Sequence, residues 1–412
     1  MHQVQKIIDG VYWIGANDDR SAFFENYIPI PEGITYNSYF IDDEKTAVVD
    51  TTDRVIGAQF LENVEYLLKG RPLDYIIVNH MEPDHSGTLL ALAEKYPSAK
   101  IAASAPALRM FEQFFHQPMK DRYVMTNDRV KISLGRRTLR FFTAPMVHWP
   151  EVTFTYDETD RILFSADAFG TFGRLEGSVF ADAGDYKARY GASARRYYSC
   201  IVSKYGPQVL AAMRKISAVP VEILAPLHGP VFRREEEKNY IFGETRRWAE
   251  WTPVNGAAVF FTSTYGNTAA AAERLAALLS EKGVPVTIMD MNHTDVSYGL
   301  SEAMRVSHLV FAAPVYNMGL FPKMRTFLEE LGDHLIKGRK IALLTNSSWA
   351  PDAAGKIMKE MIACWKDTEL LAEPLHIKSA PGESDEAALE TLAAAIAASI
   401  SGEAAPQKEE AR

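Results

Sequence analysis

Cysteine is nearly missing from these 412 residues: only Cys200 and Cys364 occur, far apart in the chain. Two thiols cannot build a disulfide framework, and with no C-x-x-C pair there is no thiolate-bound iron or iron–sulfur module. Long apolar runs are also missing. No stretch approaches the roughly 20 residues that cross a bilayer, and no apolar leader opens the chain. The expectation is a cytoplasmic protein without a membrane segment. Positive charge is in deficit, with 44 Lys and Arg against 53 Asp and Glu, a formal −9. A nucleic-acid surface needs a basic face, so that class is set aside. What the chain does have is bulk: 47% hydrophobic content over this length supports two or three domains with sizeable cores.

The most informative stretch is Asn79-His80-Met81-Glu82-Pro83-Asp84-His85-Ser86-Gly87. It follows Asp74-Tyr75-Ile76-Ile77-Val78, a short apolar run that reads as a buried strand. Pro83 and Gly87 then break the backbone, which predicts a strand-to-helix turn carrying His80, Glu82, Asp84 and His85. All four side chains are ligand types for first-row metals. Two imidazoles and two carboxylates suit iron, manganese or zinc, and the oxygen-rich mixture favours iron or manganese over a zinc thiolate site. The bland reading, a solvated polar loop, would suffice for one histidine but not for four ligand types crowded together.

Three further candidates stand where strand-like runs stop. His148 follows Phe141 to Val147, Asp167 follows Ile162 to Ala166, and His228 follows Ile223 to Leu227 and precedes Gly229-Pro230. Taken singly, a strand-end His or Asp usually satisfies local backbone. The other histidines, His2, His116, His293, His308, His334 and His376, lack ligand-spaced partners and read as ordinary residues. Tyr197 or Tyr198 could donate a hydrogen bond or a proton near such a site, or simply pack. Trp149 reads as pocket wall or core, and the loop from Phe23 to Tyr36 as pocket lining or subunit contact.

Around these residues, short alternating runs (Val11–Ile14, Tyr36–Ile41, Thr46–Asp50, Leu139–Phe142, Thr153–Tyr156) predict strands, and Ile56–Lys69 has apolar residues at helical spacing. Strands interleaved with helices predict an α+β, αββα sandwich over 1–252. From Pro253 the pattern becomes strict β-α alternation, an α/β doubly wound parallel sheet over 253–400, with 401–412 as a frayed tail.

The second region opens with the strand Ala257–Phe261, then Ser263-Thr264-Tyr265-Gly266-Asn267-Thr268 before an Ala/Leu-rich helix. Hydroxyls and a glycine on such a turn set backbone N–H groups and the helix dipole against a phosphate. No lysine sits in this loop, so a nucleoside triphosphate with Mg²⁺ is set aside. The bland reading is a capped helix start. Two more loops follow buried strands: Pro314-Val315-Tyr316-Asn317-Met318-Gly319, and Thr345-Asn346-Ser347-Ser348-Trp349. Carboxyl ends of parallel strands are where open α/β sheets bind ligands.

The N-terminal loop resembles the metallo-β-lactamase signature H-x-H-x-D-H, with Glu82 where the second histidine is expected. That departure marks the flavodiiron proteins, and the Ser263–Thr268 loop resembles the FMN-phosphate loop of flavodoxins. The resemblance covers all but the tail. It implies two irons, one held by His80, Glu82 and His148, the other by Asp84, His85 and His228, with Asp167 bridging. In the family a water can replace the histidine at position 85. It also implies Asp167, His85 and Tyr197 as catalytic residues. FMN would bind at the three loops, with Tyr316 and Trp349 against its ring and backbone groups at its edge. The family reaction is reduction of O₂ to water, or of NO to N₂O, with electrons from an external donor, a rubredoxin or a reduced deazaflavin cofactor. Near contact between FMN and iron implies a head-to-tail homodimer or a dimer of dimers. Rival readings are a zinc hydrolase with a passenger flavodoxin domain, and an electron carrier in which only FMN matters.

Overall fold

The structure, a computed structural model, describes residues 1–350 and 353–402. The chain divides into two compact units, Met1–Ala249 and Glu250–Arg412. In the first, seven strands lie in the sheet in chain order: Gln5–Ile8, Val11–Trp13, Tyr39–Ile41, Ala47–Val49, Tyr75–Val78, Lys100–Ser104 and Tyr123–Thr126. The first four pair antiparallel and the last three join in parallel. Helices Gly57–Leu68, Leu89–Lys95 and Ala105–Phe115 cover one face, burying Phe60, Val64, Leu92 and Phe111 against Phe40, Val48, Ile76 and Ile101. Emptying one such site, Phe60→Ala, costs about 3–5 kcal/mol.

The second sheet of this unit runs Lys131–Ser133, Thr138–Thr143, Thr153–Asp157, Ile162–Phe164 and Ile223–Ala225, antiparallel except for the final pair. The sheets meet through Tyr39 on Phe164, with ring centroids 5.1 Å apart, and through Thr153 N donating to Asn79 O at 3.0 Å. Two sheets flanked by helices make the expected sandwich, and all four stretches that carry candidate ligands end at one rim.

One local expectation is corrected. Pro83 does not break the chain but opens a short helix, Pro83–Ser86, at whose first position its missing N–H costs nothing. Gly87 is needed for closeness: a Cβ there would meet Pro83 O at 2.6 Å and Arg54 N at 3.2 Å.

In the second unit every central strand is parallel. The order is Val286–Asp290, Val254–Phe261, Val306–Tyr316 and Lys340–Ser347, with Glu369–Leu370 and Leu375–Lys378 both pairing the far side of Lys340–Ser347. Helices Asn267–Glu281 and Glu383–Ser401 bury Leu275, Leu279, Leu392 and Ile396 on one face. Phe327 of helix Pro322–Asp333 packs on Phe260 and Phe311 on the other. Strand order reverses between Val254–Phe261 and Val306–Tyr316, which opens a crevice at their carboxyl ends. The sheet strands run further than the sequence suggests, because edge pairing extends them to Tyr316 and Ser347. Of the expected tail, Ser401 closes the last helix, and 403–412 lie outside the described residues.

Candidate metal centre and flavin loops

The seven candidate ligands are all buried and converge as two groups, His80, Glu82, His148 and Asp167, and Asp84, His85 and His228. Asp167 faces both groups with different oxygens. Its Oδ2 lies 3.1 Å from His148 Nε2 and 3.5 Å from His80 Nε2, and its Oδ1 lies 2.9 Å from His85 Nε2 and 3.8 Å from His228 Nε2. Glu82 Oε2 stands 2.9 Å from His148 Nε2 and 3.2 Å from His80 Nε2. Asp84 Oδ2 is 3.2 Å from the Nε2 atoms of both His85 and His228.

Long-range hydrogen bonds set this arrangement. His80 Nδ1 lies 2.7 Å from Glu151 Oε1, and His228 Nδ1 lies 2.7 Å from the Thr35 carbonyl. A ring nitrogen facing a carbonyl or carboxylate donates, so both rings carry a proton on Nδ1 and turn Nε2 toward the centre. Asn37 donates from Nδ2 to Pro226 O and Gly229 O, both at 2.8 Å, clamping the His228 turn. Asp50 accepts from Asn79 N at 2.6 Å and His80 N at 3.2 Å, and burial pushes its pKa up to about 6. Asp50, Met146, Ala166 and Phe169 all have positive φ, a strained backbone of the kind that clusters at functional sites.

Burial opposes charge on His80 and His148, yet Asp167 and Glu82 outweigh it. His80 is held well above the ordinary imidazole range and His148 at about 9. Asp167 is held well below the carboxylate range, with burial opposed by His85 and His80. The pocket therefore calls for positive charge at its middle. Both Asp84 oxygens and Asp167 Oδ1 are buried with no hydrogen bond. Inward Nε2 atoms, three carboxyl groups and orphaned oxygens fit one or two divalent cations, which would take the place of protons on Nε2.

Of the two tyrosines, Tyr197 turns toward this cluster. Its ring is 5.5 Å from His228, its hydroxyl has no hydrogen bond, and burial with the fields of Asp167, Asp84 and Glu82 keeps it protonated. Tyr198 packs on Trp248 instead, 5.4 Å away. Trp149 stands edge-on to His80 at 5.4 Å. Glu151 and Asp50 escaped the sequence reading, whereas Thr35 lies in the Phe23–Tyr36 loop read as pocket lining or subunit contact, without a role of its own. Glu151 lies three residues past His148, and Asp50 ends a distant strand-like run.

In the second unit, Gly266 (φ +94) precedes helix Asn267–Glu281, and Thr264, Tyr265 and Gly266 are exposed while Thr268 is buried. Ser263 Oγ accepts from Gly266 N at 3.1 Å, and Ser263 N donates to Asn292 at 2.8 Å, which shapes the turn. The 314–319 segment is a tight hairpin rather than an open loop: Pro314 and Val315 belong to the strand, and Asn317 and Met318 make the left-handed turn between Tyr316 and Gly319. Thr345 lies 3.0 Å from His376 Nδ1, Asn346 donates to Ile377 O and Ser379 O, and Ser348 accepts from Ser379, so these side chains are committed locally. The backbone of Thr345, Asn346 and Ser347 is paired into the sheet, with Ser347 O accepting from Ser379 N at 3.1 Å. Tyr265 is 95% exposed, Tyr316 46%, Met318 59% and Trp349 67%, large apolar surfaces at the carboxyl end of the sheet. A helix N-terminus beside exposed aromatics fits a phosphate attached to a flat ring.

The family profile described as ODP family beta lactamase matches residues 34–229, and that for flavodoxin matches 259–398. The rubredoxin-oxygen oxidoreductase of Megalodesulfovibrio gigas is 28% identical over 97% of this chain and 98% of its own length. The anaerobic nitric oxide reductase flavorubredoxin of Vibrio vulnificus is 30% identical over 85% of this chain and 71% of its own. A solved structure of rubredoxin oxygen:oxidoreductase from Desulfovibrio gigas superposes with a TM-score of 0.91 at 27% identity, covering 97% of this chain and 99% of that one. Buried two-part cluster, flavodoxin-like sheet and relatives agree, and the chain belongs to the flavodiiron proteins, a family of oxidoreductases.

Proposed function

We propose that this protein reduces O₂ to water, or NO to N₂O, at a diiron site fed by FMN. The observation that carries the reading is the two-sided Asp167, whose oxygens address one histidine pair each. His80, Glu82 and His148 would hold one iron, Asp84, His85 and His228 the other, with Asp167 between. Bound iron supplies Lewis acidity and electrons to the small oxidant, and FMN supplies a two-electron store.

The chain's own residues do the rest. Glu151 and Thr35 hold the Nδ1 protons of His80 and His228, keeping their Nε2 atoms inward for a metal. Tyr197 O–H, buried among carboxylates, is positioned as a donor toward reduced oxygen. Ser263–Thr268, Pro314–Gly319 and Thr345–Trp349 would hold FMN, with Tyr316 and Trp349 against its ring. The names of the M. gigas and V. vulnificus relatives support O₂ and NO as substrates and a rubredoxin as donor, with a reduced deazaflavin cofactor as the other donor class. A head-to-tail homodimer, alone or paired, would bring one chain's FMN to the other chain's irons. Two free cysteines, and among the described residues no helix long and apolar enough to cross a membrane, fit a cytoplasmic enzyme.

The test is iron and flavin content together with O₂ and NO turnover by the reduced, iron-loaded protein, alongside Asp167→Ala. Two irons and one FMN per chain with turnover in wild type, and loss of iron and turnover in D167A, are expected. Zinc with thioester or lactam hydrolysis, or full activity in D167A, would sink the reading. The hydrolase alternative gains nothing from the two relatives, both named as redox enzymes.

A further inference from the structure

The loop Ser263–Thr268 carries no lysine or arginine, in a chain whose formal charge is −9. A phosphate monoester brings close to two negative charges, and the N-terminus of helix Asn267–Glu281 offsets only part of them. A cation stands nearby on a different helix. Lys323 is the second residue of Pro322–Asp333, and its ammonium donates to the Asn292 carbonyl at 2.5 Å. Asn292 also holds the loop: its Oδ1 accepts from Ser263 N at 2.8 Å, and its own N donates to Asp290 Oδ1 at 2.8 Å. One asparagine thus fixes the first loop residue with its side chain and the lysine with its main chain. Asp290 is engaged on its other oxygen by His293 Nδ1 at 2.8 Å, and Lys323 pairs with no carboxylate among the described residues. A lysine in the first turn opposes the helix dipole, and this one is exposed, so neither the helix nor the core accounts for it.

Given the proposed FMN site, on which this rests, we infer that Lys323 is a cofactor-binding residue: held one residue away from the loop by Asn292, its ammonium supplies the positive charge that the FMN phosphate needs and Ser263–Thr268 lacks. Lysine serves a phosphate as a point charge on a flexible stem, so it does not have to sit within the loop. The flavin ring and ribityl chain are neutral and gain nothing from it. Its contribution is therefore specific to the phosphate and weakened by salt.

Lys323→Gln keeps a donor for the Asn292 carbonyl but drops the charge; Lys323→Arg keeps the charge. Full-length, iron-loaded protein stripped of its flavin is titrated with FMN and with riboflavin, which lacks only the phosphate, by flavin fluorescence at low and at high salt. At low salt K323Q is expected to bind FMN about two- to fivefold more weakly than wild type, with riboflavin affinity unchanged and K323R close to wild type. The FMN difference should shrink at high salt. K323Q matching wild type for FMN, or weakening both flavins equally, overturns this inference alone while wild type binds FMN. Wild type binding neither flavin overturns the FMN reading and the inference with it.

Discussion

His80 Nδ1 and Glu151 Oε1 meet at 2.7 Å although 71 residues separate them, and Glu151 Oε1 also accepts from Met81 N at 2.9 Å. One buried carboxylate thus orients the ring and anchors the backbone beside it. Glu151→Ala is expected to weaken iron binding about 10–100-fold, and Glu151→Gln, which keeps an acceptor but not the charge, by less. Chelator competition on both variants checks this, and equal retention in E151A and wild type would discard the role.

Tyr197 touches the cluster without belonging to the donor set. Tyr197→Phe is expected to leave iron content unchanged and to lower kcat roughly 10²-fold, the lower end for a lost proton donor. Metal analysis beside steady-state O₂ and NO reduction separates this from structural damage. Tyr198→Phe, on the Trp248 side, should have little effect on turnover.

Trp349 and Gly266 test the flavin loops from two directions. Trp349→Ala removes an exposed ring and should weaken FMN binding by about 0.5–1.5 kcal/mol, roughly two- to tenfold in Kd. Gly266→Ala should strain the left-handed turn by about 1–2 kcal/mol and loosen the same ligand. Flavin fluorescence titration of the flavin-stripped protein measures both; unchanged FMN affinity in both variants would place the flavin elsewhere.

His308 supplies a pH dependence away from the metals. It is buried between Ser307 Oγ at 2.8 Å and Ser399 Oγ at 3.1 Å, and burial with nearby Lys340, itself 3.6 Å from Glu369, pushes its pKa down to about 4. A histidine with a lowered pKa binds fewer protons folded than unfolded. Its neutral packing therefore stabilises the protein above about 6.5, and that contribution is lost as pH falls toward about 4. The loss should be of order 1–3 kcal/mol. His308→Gln, which keeps hydrogen bonding but does not titrate, should show a shallower fall in Tm between those pH values. Parallel acid limbs in the two proteins would exclude this.

Much of the site is legible in the chain because it is local. His80, Glu82, Asp84 and His85 announce themselves by spacing, and His148, Asp167 and His228 by standing where apolar runs end. The doubly wound order follows from regular alternation of strand and helix. Hydrogen-bond partners are not legible in this way. Thr35 reaches His228 across 193 residues through a backbone carbonyl that any residue could offer.

Donor chemistry, the order of the two units and the absence of thiolate modules were therefore set by composition and spacing alone. Which oxygen of Asp167 meets which histidine, which tyrosine turns inward and what holds the Nδ1 protons of His80 and His228 were decided only when distant strand ends met at one rim. Short-range pattern encodes the face a residue presents; its partner across the fold depends on chain closure that no local period records.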